Sequence, residues 1–193
     1  MDQNESDLLS RLATDLDHSF EQLMATYWPQ LYAFVLRRTA SPQDADDILS
    51  EVFVRAYIAL KGYPVERIRT LKIRPWLYKI TCNEYVRFTG KAMHSQVSFS
   101  FVEEASLLEQ EEEHSSQPEM YVESTERRQE LERLVAALPD RYREAINLYY
   151  FEDLSYQEIA DVLAQPPGTI KSSVHRGIQV LRKAIRAQSN EGH

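Results

Sequence analysis

The 193 residues, 43% hydrophobic and 27% charged with only five glycines, describe a folding, helix-leaning chain and exclude a disordered one. No apolar run approaches the roughly 18–20 residues that span a bilayer, and the opening MDQNESDLLSRL lacks the apolar block of a signal peptide, so a cytoplasmic protein without membrane insertion is expected. A single cysteine, Cys82, excludes an internal disulfide. With five scattered histidines it supplies no metal-ligand set, so neither a metal nor another cofactor is expected.

Residues 1–17 read as an N-terminal extension. A helix is predicted from about His18 to Arg38, with Asp17 as N-cap and Phe20, Leu23, Met24, Tyr27, Leu31, Phe34 and Val35 at helical spacing. Pro29 inside this run predicts a kink or brief interruption. A second helix opens at SPQD, with Ser41 as N-cap and Pro42 at the first helical position. Ala45, Ile48, Leu49, Val52 and Ala56 form its buried stripe, and Asp44, Asp47, Glu51 and Arg55 lie on another face. A third helix begins near Pro75. Residues 93–123 read as a linker by composition; within it Val97, Phe99 and Phe101 alternate at period two, which suits an extended docked segment. The second half predicts four helices: Thr125 to Leu138, stopped by Pro139; Asp140 to Tyr150; a short one with the capping box Ser155-x-x-Glu158; and a last one from about Gly168 to Ala187.

Charge is distributed unevenly along this order. Residues 1–92 carry 12 acids and 12 bases, and residues 124–193 carry 10 of each. The segment 93–123 carries 8 acids and no Lys or Arg, so the entire net charge of −8 lies in the linker. The last helix, by contrast, carries Lys171, Arg176, Arg182, Lys183 and Arg186 and no acid.

A short capped helix, a tight turn and a longer basic helix form the helix-turn-helix pattern, with Ile159, Leu163, Ile170, Val174, Ile178 and Leu181 as its packed interior. Thr169, Lys171, Ser172, Ser173, His175 and Arg176 then occupy the N-terminal part of the last helix, the part that enters a major groove. A solvated basic face is the competing reading, and the helix dipole alone accounts for Arg182, Lys183 and Arg186. Between Lys61 and Lys91, 8 bases and 2 acids are interleaved with Tyr63, Trp76, Tyr78, Tyr85 and Phe88. Such mixing suits single-stranded nucleic acid, whose phosphates follow cations and whose bases stack on rings. For Trp76, packing in a small helical core is the alternative. The sequence contains no Gly-rich phosphate loop, HExxH or GxSxG, so no catalytic residues are expected.

The stretches DADDILSEVFVRAY (44–57), WLYKITCNE (76–84), LPDRYREAINLYYFEDLSYQEIADVL (138–163) and PPGTIKSSVHRGIQVLRKAI (166–185) resemble, in order and spacing, the bacterial extracytoplasmic-function sigma factors of the sigma-70 family. The resemblance implies an all-α protein of two small helical domains joined by the acidic linker. Residues 18–92 would be the region-two domain, 93–123 the linker, 124–187 the region-four helix-turn-helix domain and 188–193 a tail. It implies a promoter-specificity subunit that binds core RNA polymerase through the β′ clamp coiled coil and the β flap, reads a two-part promoter and helps melt it, with no catalysis of its own. Asp44, Asp47, Glu51, Phe53 and Arg55 would face polymerase. Tyr63, Trp76, Lys79, Asn83, Arg87 and Lys91 would handle single-stranded DNA at the minus-ten element, with Asn83 capturing an unpaired base. Thr169, Lys171, Ser172, Ser173, His175 and Arg176 would read the minus-35 duplex. Many members of the family are held by an anti-sigma factor, a further partner the resemblance implies. A stand-alone helix-turn-helix regulator, with the first half as a dimerisation or ligand domain, is the alternative. The family usually has Gly where this chain has Ala164, which is costly if that position needs a positive φ.

Overall fold

The computed structural model describes residues 3–92, 131 and 133–191, and among them every regular element is a helix. The predicted linker segment, its alternating Val97, Phe99 and Phe101, and the start of the helix expected at Thr125 lie outside the described residues.

The first described element is a helix within the expected N-terminal extension. In α1 (Gln3–Thr14), Leu8, Leu9 and Leu12 are buried where α1 packs on α2 and α4. Each buried leucine contributes about 1.5–3 kcal/mol, so the segment is an integral part of the first core. In α2 (Leu16–Thr39) the N-cap is Asp15, whose carboxylate accepts the His18 N–H at 3.2 Å. Asp17, the cap expected from sequence, sits in the first turn and accepts the Tyr57 hydroxyl at 2.5 Å. The helix runs unbroken through Pro29. The carbonyl that loses its partner belongs to Ala25, an exposed residue, so the lost bond is not buried.

α3 (Pro42–Lys61) starts as its sequence dictates: Ser41 Oγ accepts the Asp44 N–H at 3.3 Å and Pro42 takes the first position. Its predicted stripe, Ala45, Ile48, Leu49, Val52 and Ala56, is buried throughout. A one-turn helix, α4 (Val65–Arg69), leads into α5 (Ile73–Ala92), which packs across α2 and α3.

In the second half, the described residues of α6 are Leu131 and 133–136, and α7 (Asp140–Ile146) follows Pro139. A single π-helical turn, Asn147–Phe151, replaces the straight continuation to Tyr150 that periodicity suggested. α8 (Tyr156–Leu163) carries the full capping box: Ser155 Oγ accepts the Glu158 N–H, and the Glu158 carboxylate accepts the Ser155 N–H at 3.0 Å. Burial pushes the Glu158 carboxyl up, but the Ser155 hydrogen bonds and the Lys72 ammonium outweigh it and hold the group below its usual range. Ala164 ends α8 in the left-handed region, φ 52° and ψ 45°, where Gly would be unstrained. α9 (Pro167–Glu191) completes the helix-turn-helix, with Ile159, Ile170 and Val174 fully buried and Leu163 and Ile178 packed against them. Gly177 allows α9 to press on α7. A Cβ there would lie 2.4 Å from Ile146 Cδ1 and 3.2 Å from Tyr142 Cβ.

The halves are packed on one another, α5 against α8, and share a continuous apolar core. Polar ties cross the junction. The buried carboxylate of Glu152 accepts both the Arg37 guanidinium and the hydroxyl of the fully buried Tyr78. Arg38 pairs with Glu144, and Lys72 Nζ lies 3.4 Å from Glu158. Asn147 Oδ1 and Arg37 Nε, also at this junction, are buried without partners.

Candidate nucleic-acid and polymerase interface

Helix α5 divides its residues by face. Leu77, Tyr78, Thr81 and Cys82 are buried, whereas Lys79, Asn83, Val86 and Arg87 form one exposed stripe at spacings of four, three and one. Asn83 thus presents a side-chain amide to solvent between two cations, one turn from each. The Lys91 side chain lies outside the described residues. Beside the start of α5, Tyr63 and Trp76 meet with ring centroids 6.2 Å apart, and the Trp76 indole N–H reaches the Tyr63 hydroxyl at 3.4 Å. The Arg67 guanidinium lies 3.7 Å from the centre of the Tyr63 ring. Trp76 is half-buried, packing on the core with one side while offering the other to this cluster. Arg67, Val86 and the acid between them in α5, Glu84, were not singled out from sequence. For Val86 the signal was an apolar residue off the buried stripe.

Glu84 is buried, its side chain 8% exposed, although its neighbour Asn83 is open. Its Oε1 lies 2.6 Å from Arg55 Nε of α3, a close ion pair whose N–H does not line up as a hydrogen bond, and it accepts Arg87 Nη1 at 3.3 Å. Arg55 also holds Glu51 at 2.8 Å.

On α3, Asp47 and Glu51 are exposed, Asp44 and Arg55 half-exposed. Phe53 departs from the expectation. It is 2% exposed and stacks on Trp28, ring centroids 5.5 Å apart and 14° from parallel, with Phe20 at its edge. Its place beside Val52 and one turn after Leu49 puts it on the core face, so it is no surface contact. The apolar members of the outward stripe are Val54 and Ile58, 53% and 64% exposed. Together with Asp47 and Glu51 they give an acidic helix face with an apolar end.

On α9, Thr169, Lys171, Ser172, His175 and Arg176 are exposed as predicted. Ser173 is not: it is 6% exposed, because it lies on the inward stripe of Ile170, Val174 and Gly177. A buried hydroxyl there reads no base. The His175 ring contacts Gln179 at 3.0 Å, which ties the imidazole along the helix surface. No cluster among the described residues has the makings of a metal site, and no described helix is long and apolar enough to cross a membrane.

The first half thus presents a cationic, amide-bearing stripe, and the second a basic helix-turn-helix, the fold of a nucleic-acid-binding class. The Sigma-70 region 2 family matches residues 23–93 and the Sigma-70 region 4 family residues 128–181. The ECF RNA polymerase sigma factor SigW of Bacillus subtilis (strain 168) is 30% identical over 171 residues, 87% of this chain and 89% of its own length. Among solved structures, CnrH in complex with the cytosolic domain of CnrY matches with a TM-score of 0.64 at 20% identity, over 95% of this chain and 97% of that one. The sigma factor RpoE in complex with the anti-sigma factor NepR from Bartonella quintana matches with a TM-score of 0.60 at 22% identity, over 86% and 96%. The chain belongs to the extracytoplasmic-function sigma factors, the promoter-specificity subunits of bacterial RNA polymerase.

Proposed function

We propose that this sigma factor divides its work among three faces. The stripe Asp47, Glu51, Val54 and Ile58 of α3, flanked by Asp44, docks on core polymerase. The α5 stripe with the Tyr63–Arg67–Trp76 cluster holds the melted minus-ten strand. The exposed start of α9 reads the minus-35 duplex. The observation that carries this reading is Asn83, an open amide on the exposed stripe of α5, set between Lys79 and Arg87. An amide donates and accepts at once and pairs bidentately with a base edge, while the flanking cations take phosphates. Holding an unpaired base offsets the free energy of unpairing it, so the chain drives opening by binding and needs no catalytic group. Lys171 and Arg176 serve the duplex by phosphate or guanine contacts, and Thr169 and Ser172 by hydroxyl contacts. The protein acts in the cytoplasm, where polymerase and promoter are.

Asn83→Ala tests the assignment. With core polymerase and a promoter fragment, permanganate reactivity of unpaired thymines should fall by at least about fivefold, as expected when a base contact worth about 1–3 kcal/mol is lost. Polymerase affinity should be unchanged. Equal opening by both proteins would remove Asn83 from the minus-ten site.

A further inference from the structure

The buried carboxylate of Glu84 sits between the two faces just assigned, and four charges run through it in alternating sign. Glu51, 49% exposed, is on the polymerase-facing stripe; Arg55 joins it to Glu84; and Glu84 joins Arg55 to Arg87, 49% exposed, on the α5 stripe. A cleft of about 200 Å³ opens beside them, lined by Asp47, Ile48, Glu51, Glu84, Arg87 and Phe88. Arg87 therefore stands at the rim of an acid-lined recess. With Arg55 included, the group of Asp47, Glu51, Glu84, Arg55 and Arg87 has three negative and two positive charges.

We infer that Glu84 is a positioning residue through which polymerase binding and DNA binding strengthen one another. The inference rests on the proposed functions of the α3 and α5 faces. Its sign follows from Coulomb's law along the chain. In the free protein, Glu84 competes with phosphate for Arg87, and the net negative recess repels the DNA backbone. A cation of the partner surface that engages Glu51 or Asp47 draws Glu51 away from Arg55. Arg55 then leans on Glu84, Glu84 releases Arg87, and the recess loses its excess negative charge. Arg87 is left with its donors turned to a phosphate. Because coupling free energies are reciprocal, DNA bound at Arg87 raises affinity for polymerase by the same factor. Burial of Glu84 makes the relay effective, since a buried charge is screened less than the exposed ones at either end.

Phosphate contact carries no base sequence, so the probe is a fluorescein-labelled single-stranded oligothymidine, titrated by anisotropy at low salt with the free protein and with its complex with core polymerase. Glu84→Gln should raise the affinity of the free protein about threefold, the size expected for one partly exposed ion pair. In the polymerase complex, where wild-type Arg87 is already released, the same substitution should change affinity less than about twofold. Arg55→Gln breaks the relay from the other side, leaves Glu84 wholly to Arg87, and should lower free-protein affinity. In an Arg87→Gln background both effects should vanish. Circular dichroism and thermal midpoints identify any variant that has lost its fold, and the opposite signs of the two substitutions keep the test decisive if one is destabilised. Folded Glu84→Gln protein binding no more tightly than wild type would overturn the relay. So would a gain that survives Arg87→Gln, because the effect would then be general charge and not release of Arg87. Wild-type protein that neither binds oligothymidine alone nor raises its binding to core polymerase would sink the assignment of the α5 face, and the relay with it.

Discussion

Glu152→Ala should destabilise the whole chain, not only the half that contains it. The carboxylate is 3% exposed and lies 115 residues from Arg37 and 74 from Tyr78 along the sequence, so both of its bonds tie the second half to the first. Removing it orphans a hydroxyl on a tyrosine with no exposed surface, at about 1–3 kcal/mol for an unsatisfied buried group. It also strands Arg37, whose side chain is 18% exposed and whose Nε already lacks a partner. Truncating one member of a buried pair is worth about 3–5 kcal/mol. Arg37 can turn partly toward water and remains over the Phe151 ring at 5.0 Å, so the two contributions do not add in full and the total should be about 3–4 kcal/mol. The assay is urea unfolding followed by tryptophan fluorescence, because Trp28 and Trp76 both lie in the first half and report on Glu152 only through the junction. Tyr78→Phe supplies the cycle: harmful alone, it should be nearly neutral in the Glu152→Ala background, where it removes the orphaned hydroxyl. As control, Asp140→Ala breaks an ion pair whose carboxylate is 89% exposed and should shift stability by less than about 1 kcal/mol. An unchanged tryptophan-reported midpoint for Glu152→Ala, or additive effects of the two substitutions, would show that Glu152 does not tie the halves together.

Other predictions follow from single positions. Ala164→Gly should stabilise by about 0.5–1 kcal/mol in chemical unfolding, because it relieves a left-handed Cβ and leaves the Ala160 carbonyl capped. Gly177→Ala should destabilise by about 1–3 kcal/mol, because the added methyl meets Ile146 Cδ1 and the less mobile Tyr142 Cβ. Burial pushes the Cys82 thiol up to about 11 despite the nearby Arg38 guanidinium, so the thiolate is scarce at pH 8. Iodoacetamide at that pH should spare Cys82 in the folded protein and modify it on addition of urea, as read by intact mass; alkylation at similar rates in both conditions would contradict its buried placement.

The parts of the fold fixed by local chemistry were legible in the sequence. Ser41 with Pro42, and Ser155 with Glu158, announce helix starts because caps satisfy backbone donors within three residues. Ala164 was recognisable as a strained position before its φ was known. Lys171 and Arg176 were singled out by residue type and place on a helix and Asn83 by its place in the family motif, and all three side chains are exposed. Phe53 was assigned outward by its position in a family motif and Ser173 by its place at the start of the last helix, although the helical spacing from Leu49 and from Ile170 already pointed inward. α1 was missed although Leu8, Leu9 and Leu12 gave its periodicity, since its burial depends on α2 and α4 being there to receive it. The π-helical turn at Asn147–Phe151 and the Tyr78–Glu152–Arg37 tie leave no periodic trace, because they depend on how distant segments pack. Glu84 was silent for the same cause: an acid on a basic helix reads as surface until Arg55 is placed against it.

Promoter selection by this chain is measured by in-vitro transcription with bacterial core polymerase, the purified protein and a genomic fragment library, with RNA 5′ ends mapped. Starts should require the protein and share a two-part upstream motif, with Arg176→Ala weakening use of the distal part and Asn83→Ala the opening of the proximal part. Starts unchanged by adding the protein, together with polymerase-independent binding to duplex sites as a dimer, would contradict promoter selection.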